Sequence, residues 1–275
     1  MRFIDYHAAE TILAALEDNL DEVEVSLDLG LSMSRISTHQ KDWTVEDLEK
    51  IAADKDSIYF TRENQILKAA LSGRRFYKLM PTGLHSPPAL LIDGVLMHRM
   101  KSIDPMSDAR SKANLCAQQG SKMLEICTGL GYSTIACLDK NVSDIVTIER
   151  DENVLELASI NPWSKRLFED DRVKIVNADA VEEIVSFEEV SFDAVLHDPP
   201  RFSMSSDLYT AEFYASIFRV LKPGGVLFHY VGTPGSKYRG KDLQKGVMKR
   251  LRSVGFEKVE RKPKALGVLA RKPPV

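Results

Sequence analysis

Apolar and polar positions change rhythm about a third of the way along the chain. Near the start, Val23, Val25, Leu27 and Leu29 alternate with polar residues, the period-2 pattern of a half-buried strand. A short helix is predicted next, with Thr44 as N-cap and Asp47 three residues on. Strand-like runs follow at 57–60, 65–71, 76–79 and 90–97, the last broken by an Asp93-Gly94 turn. Pro81, Gly83, Pro87 and Pro88 mark intervening loop. These pieces predict a small β-rich or α+β domain over residues 1–103.

From residue 104 to 275 the pattern becomes a regular strand–helix alternation. Strands are expected at 123–127, 144–149, 172–177, 192–197, 224–231, 256–262 and 265–270. Helices are expected near 105–118, 132–140, 152–160, 180–187, 208–221 and 241–254. Such alternation predicts an α/β domain with a mostly parallel sheet covered on both faces. Ligands bind such sheets outside the carboxyl ends of the strands.

Composition adds limits rather than a function. A length of 275 residues suits one large and one smaller domain, and 44% hydrophobic with 28% charged residues is ordinary for a soluble protein. No apolar run approaches the roughly 18 residues of a membrane span, and Met1-Arg2-Phe3-Ile4-Asp5 opens no signal-peptide h-region. Cys116, Cys127 and Cys137 have no CxxC spacing and cannot all pair, which predicts reduced thiols, a cytoplasmic protein and no metal site. The net charge of -3 conceals an asymmetry: residues 1–60 carry 14 acids against 5 bases, and residues 235–275 carry 3 acids against 13 bases. A basic surface suits a polyanion, although lysines that serve only solubility would give the same count.

Candidate chemistry gathers at the expected strand ends. The first strand of the alternation runs into Glu125-Ile126-Cys127-Thr128-Gly129-Leu130-Gly131, followed by Tyr132-Ser133 at a helix start. Glycines there permit a tight turn and a close approach of ligand to backbone. The spacing is E-x-C-x-G-x-G rather than G-x-G-x-x-G, and an acid before the turn would repel a pyrophosphate but suit an α-ammonium. Glu149, beside Arg150, ends the second strand and can accept from both ribose hydroxyls. Asp179 ends the third and can accept from an adenine amino group, with the Ala180 N–H donating to the ring; a helix cap is the simpler role for such an acid taken singly.

Taken in series with Asp198-Pro199-Pro200 and the Leu221-Lys222-Pro223-Gly224-Gly225 turn, this region resembles a class I S-adenosylmethionine-dependent methyltransferase. The resemblance covers residues 104–275. It implies a Rossmann-like, seven-stranded methyltransferase sheet of order 3-2-1-4-5-7-6. It also implies S-adenosyl-L-methionine held by Glu125, Cys127, Thr128, Gly129, Gly131, Tyr132, Ser133, Glu149, Arg150, Asp179, Ala180 and Asp198. Cys127 departs from the family's glycine.

Asp198-Pro199-Pro200 resembles the [D/N/S]-P-P-[Y/F/W] motif of enzymes that methylate planar nitrogens. The lone pair of an exocyclic base amine is delocalised into the ring. A segment without N–H donors offers only acceptors: the Asp198 carboxylate and the Pro199 carbonyl can hold both N–H groups and aim the lone pair. The motif's aromatic falls one residue late, at Phe202, and Arg201 takes its place with a planar guanidinium able to stack or to contact phosphate. Asp198, Pro199, Pro200 and Phe202 are therefore the catalytic candidates, and His197 reads as structural. Arg201, Lys237, Tyr238 and Arg239 are the substrate-binding candidates.

More narrowly, Leu90–Met97, Asp198–Ser203 and Tyr238–Leu243 resemble an archaeal group of methyltransferases with a spermidine-synthase-like fold. That group includes an rRNA cytidine N4-methyltransferase. The resemblance implies an RNA partner, an rRNA or a ribosomal subunit, with no membrane and no metal. A polyamine aminopropyltransferase is the alternative, because Ile92-Asp93-Gly94 resembles those enzymes. Met106-Ser107-Asp108-Ala109-Arg110 stands where their Tyr-His-Glu element would be. Protein glutamine methylation and a non-catalytic RNA-binding role complete the set.

Overall fold

Residues 1–40, 42–232 and 242–274 are described by the structure, a computed structural model. The chain divides into two units: Met1–Met106 with Glu156–Lys165, and Ser107–Leu155 with Arg166–Val275. Among the described residues no helix is long and apolar enough to cross a membrane.

In the first unit, strand β1 (Phe3–Ile4) leads through Asp5 into helix α1 (Tyr6–Glu17). The Asp5 carboxylate caps that helix by accepting the Ala8 N–H at 3.1 Å, and Ala8, Ala9, Ile12 and Ala15 form its buried stripe. Strands β2 (Glu22–Val25) and β3 (Ser34–Ser37) pair antiparallel. The strand expected to run to Leu29 stops at Val25. Ser26 and Asp28 tie the next residues into a turn through Gly30 N to Ser26 Oγ (2.7 Å) and Ser32 N to Asp28 Oδ1 (2.9 Å), and Leu29 adopts a φ of 60°. Helix α2 (Val45–Ala53) carries the expected Thr44–Asp47 capping box, and Ile4, Ile12, Val25, Trp43, Leu48 and Ile51 join in one core.

Strands β4 (Tyr59–Arg62) and β5 (Gln65–Lys68) form a hairpin beside β1, while β6 (Ala70–Ser72), β7 (Phe76–Met80), β8 (Ala89–Ile92) and β9 (Val95–Leu96) make a four-stranded antiparallel sheet. Asp93 and Gly94, both at positive φ, close β8 on β9 as a two-residue hairpin.

From helix α3 (Pro105–Cys116) onward the chain alternates: β10 (Lys122–Ile126), α4 (Tyr132–Leu138), β11 (Asp144–Glu149), α5 (Glu152–Ile160), α6 (Lys165–Glu169), β12 (Val173–Asn177), α7 (Ala180–Glu183), β13 (Phe192–His197), α8 (Ala211–Val220), β14 (Leu221–Tyr230), α9 (Leu243–Val254), β15 (Glu257–Lys262) and β16 (Gly267–Arg271). Seven strands form one sheet in the order β12-β11-β10-β13-β14-β16-β15, which counted from β10 is 3-2-1-4-5-7-6. The first five run parallel and β16 is antiparallel to both its neighbours. Met123 to Ile126 are buried without alternation, as expected of a central strand covered on both faces. The Lys222-Pro223-Gly224-Gly225 turn lies inside β14, where the register with β13 shifts between Phe192 and Ala194.

Candidate active site

The loop after β10 turns on three residues at positive φ: Cys127 (72°), Gly129 (56°) and Gly131 (76°). A side chain at Gly131 would meet the Leu167 methyl at 2.6 Å and force that side chain to shift, and the φ of 76° favours glycine there in any case. Cys127 adopts the same left-handed conformation with a side chain, and its N–H and that of Thr128 both donate to the Ile148 carbonyl (3.0 and 3.1 Å).

Glu125 lies beneath this loop at 0% exposure. Its Oε2 accepts from the Thr147 hydroxyl (2.7 Å) and from Thr134, and Thr128 joins Thr147 at 2.6 Å, while Oε1 has no hydrogen-bond partner. Burial pushes the carboxyl up to about 7, against the Ser133, Thr134 and Thr147 hydroxyls that favour its ionised form. Glu125 is thus a buried brace of the loop and is absent from the wall of the cleft described next. Tyr132 and Ser133, at the start of α4, are buried too.

Outside the ends of β11, β12 and β13 a cleft encloses about 420 Å³ of open space. Cys127, Ile148, Glu149, Arg150, Asp179 and Ala180 line one wall, and Pro200, Ser205, Asp207 and Leu208 line another. Glu149 is held by backbone: Oε2 accepts from Gly129 N (2.9 Å) and Oε1 from Asp151 N (3.1 Å). Burial pushes its pKa above the usual range despite those donors. Asp179 caps α7 by accepting from Val181 N at 2.8 Å and also lies 3.6 Å from Arg150, so it is a helix cap on the wall of the cleft. Asp207 and Leu208 sit on a short 3-10 turn, Ser206–Tyr209, that Ser205 precedes; the helix expected from 208 begins instead at Ala211.

Asp198 follows β13, and its N–H donates to the Ile126 carbonyl at 3.1 Å. Pro199 is buried; the Pro200 carbonyl is taken by the Tyr209 hydroxyl (3.0 Å) and Ser205 Oγ (3.2 Å). Arg201 and Phe202 are exposed on the following turn, and the Phe202 ring meets Tyr209 edge-on at 5.3 Å. His197 faces the interior, stacked on His229 at 4.2 Å. Lys237, Tyr238 and Arg239 lie outside the described residues.

The residue that sequence reasoning missed is Lys112, on α3. Its Nζ is 2.6 Å from Asp198 Oδ2 and 2.8 Å from Asp108 Oδ2, and lies 4.3 Å from the centre of the Tyr230 ring. Burial opposes the charge on Lys112, yet Asp198 and Asp108 together hold its pKa above the ordinary lysine value. Burial likewise pushes Asp198 above its usual range, against the pull of Lys112. Among the described residues no three His, Cys, Asp or Glu side chains gather as metal ligands would.

The donor set suits a nucleoside cofactor: carboxylates at the ribose and base positions, with apolar Ile148 and Leu208 between them. Sheet order, left-handed loop and cleft define a Rossmann-like α/β protein with its ligand site outside the strand ends. Within that class, the chain belongs to the Spermine/spermidine synthase domain family, which matches residues 115–260.

An uncharacterized protein of Methanocaldococcus jannaschii is 45% identical over 282 residues, covering 98% of this chain and 96% of that protein. A polyamine aminopropyltransferase of Aeropyrum pernix is 33% identical over 92 residues, 32% of this chain and 29% of its own length. The crystal structure of a spermidine synthase in complex with the transition state analogue AdoDATO superposes with a TM-score of 0.62 at 20% identity, over 75% of this chain and 73% of that chain, a likeness of fold.

Proposed function

We propose that the chain transfers a methyl group from S-adenosyl-L-methionine to an exocyclic base amine in RNA, cytosine N4 of rRNA being the leading acceptor. The carrying observation is Asp198-Pro199-Pro200 at the end of β13, beside the cleft that Glu149 and Asp179 line. When bound, the cofactor supplies an electrophilic methyl group. Glu149 would accept from the ribose hydroxyls and Asp179 from the adenine amine, each carboxylate oxygen having lone pairs beyond its present bonds.

At the acceptor end, Lys112 occupies Oδ2 of Asp198. The other carboxylate oxygen and the Pro199 carbonyl would accept the two N–H groups of the amine and aim its lone pair. Phe202, 44% exposed, offers a ring on which a base can stack. Arg201, also exposed, offers a phosphate contact.

Family membership and the named relative favour a second reading, aminopropyl transfer to an amine. The two readings separate in one experiment. The protein is incubated with methyl-labelled S-adenosylmethionine, or with decarboxylated S-adenosylmethionine labelled in its aminopropyl carbons, and separately with deproteinised rRNA, ribosomal subunits, ribosomal protein and polyamines. Label in rRNA or in subunits supports the proposal; transfer confined to polyamine or protein refutes it. Asp198→Ala should lower methyl transfer by about 10²-fold or more while cofactor affinity, read by calorimetry, changes little. Lys112 keeps Asp108 as a partner in that variant, so loss of transfer is not expected to follow from unfolding.

A further inference from the structure

We infer that Lys112 sets the acceptor site for a neutral amine, by supplying from within the chain the ammonium that an aliphatic amine substrate would otherwise bring. The inference rests on the reading that Asp198 faces the acceptor. Lys112 and Asp108 are almost fully buried, with side-chain exposures of 8% and 5%, and Asp198 is 21% exposed. The Nζ contacts both acids and lies against the Tyr230 ring, the surroundings that recognise a bound alkylammonium: two carboxylates and an aromatic face.

An alkyl amine is a cation near neutral pH, like a lysine side chain, and must be both held and deprotonated before it attacks. A base amine is already neutral and asks only for hydrogen-bond acceptors. With Lys112 in place, the space between the two acids is already filled and one of their two charges neutralised, so a second ammonium finds no equivalent seat there. The part of Asp198 left open to solvent can still accept an N–H from an uncharged group. Lys112 is therefore a positioning and specificity residue that acts through Asp198. Its burial between two acids is hard to assign to stability alone, since an apolar replacement of such a group is often as stable.

The test uses the full chain and the probes 1,4-diaminobutane and n-butylammonium at constant ionic strength. Wild type, Lys112→Ala and Lys112→Arg are compared by calorimetry and thermal melting. Wild type and Lys112→Arg should show no saturable binding, whereas Lys112→Ala, with an ammonium-sized hole between two acids, should gain it. The gain should be at least about tenfold in affinity and should appear as a rise in Tm. A lysine that serves only structure would leave a variant that is less stable and no more receptive. If truncation unfolds the chain, Lys112→Gln, uncharged and close to the original volume, takes its place in the same titration. Saturable binding to wild type as tight as to the neutral variant overturns the inference, as does a folded neutral variant that gains nothing. Failure of wild type to methylate any RNA speaks against the acceptor reading instead, so the two failures are told apart.

Discussion

Glu125 is removed from water beneath the cofactor loop, with a pKa pushed up to about 7 by burial. Its folded value lies above the ordinary 4.5, so the stabilisation tied to its proton is full below pH 4.5 and is lost as pH rises through 7. The span of the shift corresponds to about 3 kcal/mol. Glu125→Gln keeps an amide oxygen for Thr134 and Thr147 and has no proton to lose. The stability difference between variant and wild type, measured in urea at pH 4.5 and 7.5, should therefore move in the variant's favour as pH rises, and an unchanged difference would show that Glu125 titrates normally. At this scale the sequence marked Glu125, Glu149, Asp179 and Asp198 because each ends a strand, a position that pattern reveals. It did not mark Lys112. Its local partner Asp108 is four residues away on the same helix, but Asp198 lies 86 positions on, and only the sheet topology brings them together.

Strands β13 and β14 meet with His197 opposite His229, both at 0% exposure and their rings parallel within 16°. The Tyr214 hydroxyl lies 3.0 Å from His229 Nε2, while neither ring nitrogen of His197 has a partner. Burial holds both neutral, His197 well below its usual value and His229 down to about 3. For a histidine depressed in the folded state the sign is fixed. Unfolded chains bind its proton below pH 6.5 and folded ones do not, so stability falls from pH 6.5 toward pH 3. Between pH 6.5 and 5 the His229 ring costs about 2 kcal/mol, and His197 adds a cost of the same sign. His197→Leu should shrink the loss of urea stability between pH 7 and 5. An unchanged pH dependence would mean that the pair accepts a proton inside the fold.

Elements with this much apolar surface were legible because their runs are long and their caps conventional, as in β10, β13 and the Thr44–Asp47 box of α2. Helix α1 was missed although its Asp5 cap and its 8, 9, 12, 15 spacing were present, since three of those four buried positions are alanine and give a weak hydrophobic signal. The overlong strand to Leu29 failed for another reason: Ser26 and Asp28 bond to nearby backbone N–H groups and compete with the ladder.

The family match at 115–260 takes in the Cys127–Gly131 loop, the cleft and Asp198-Pro199-Pro200, whereas the relative from Methanocaldococcus jannaschii extends over nearly the whole chain. Charge along the molecule is not spread evenly around a common catalytic scaffold, and its basic share falls at the carboxyl end. There α9 buries Val247 and Leu251 while Lys245 and Lys249 are exposed, as is Arg252, whose guanidinium also donates to the Val259 carbonyl at 3.0 Å, and edge strand β15 adds the exposed Lys258 and Arg261. Exposed lysines on a helix are also what solubility alone would produce, so their role has to be read from salt dependence. Contacts between cations and phosphates release counterions, and each one contributes about 0.7 to 0.9 to the slope of log affinity against log salt. Replacing Lys245, Lys249 and Arg252 together with Gln should weaken rRNA binding, lower that slope by about 2 and do so equally for unrelated RNA sequences. Filter binding between about 50 and 200 mM salt spans the range over which such contacts change affinity strongly. Methyl transfer at saturating RNA should survive, because the proposed acceptor chemistry belongs to Asp198. An unaltered slope would assign these cations to solubility and move the phosphate contacts elsewhere on the molecule.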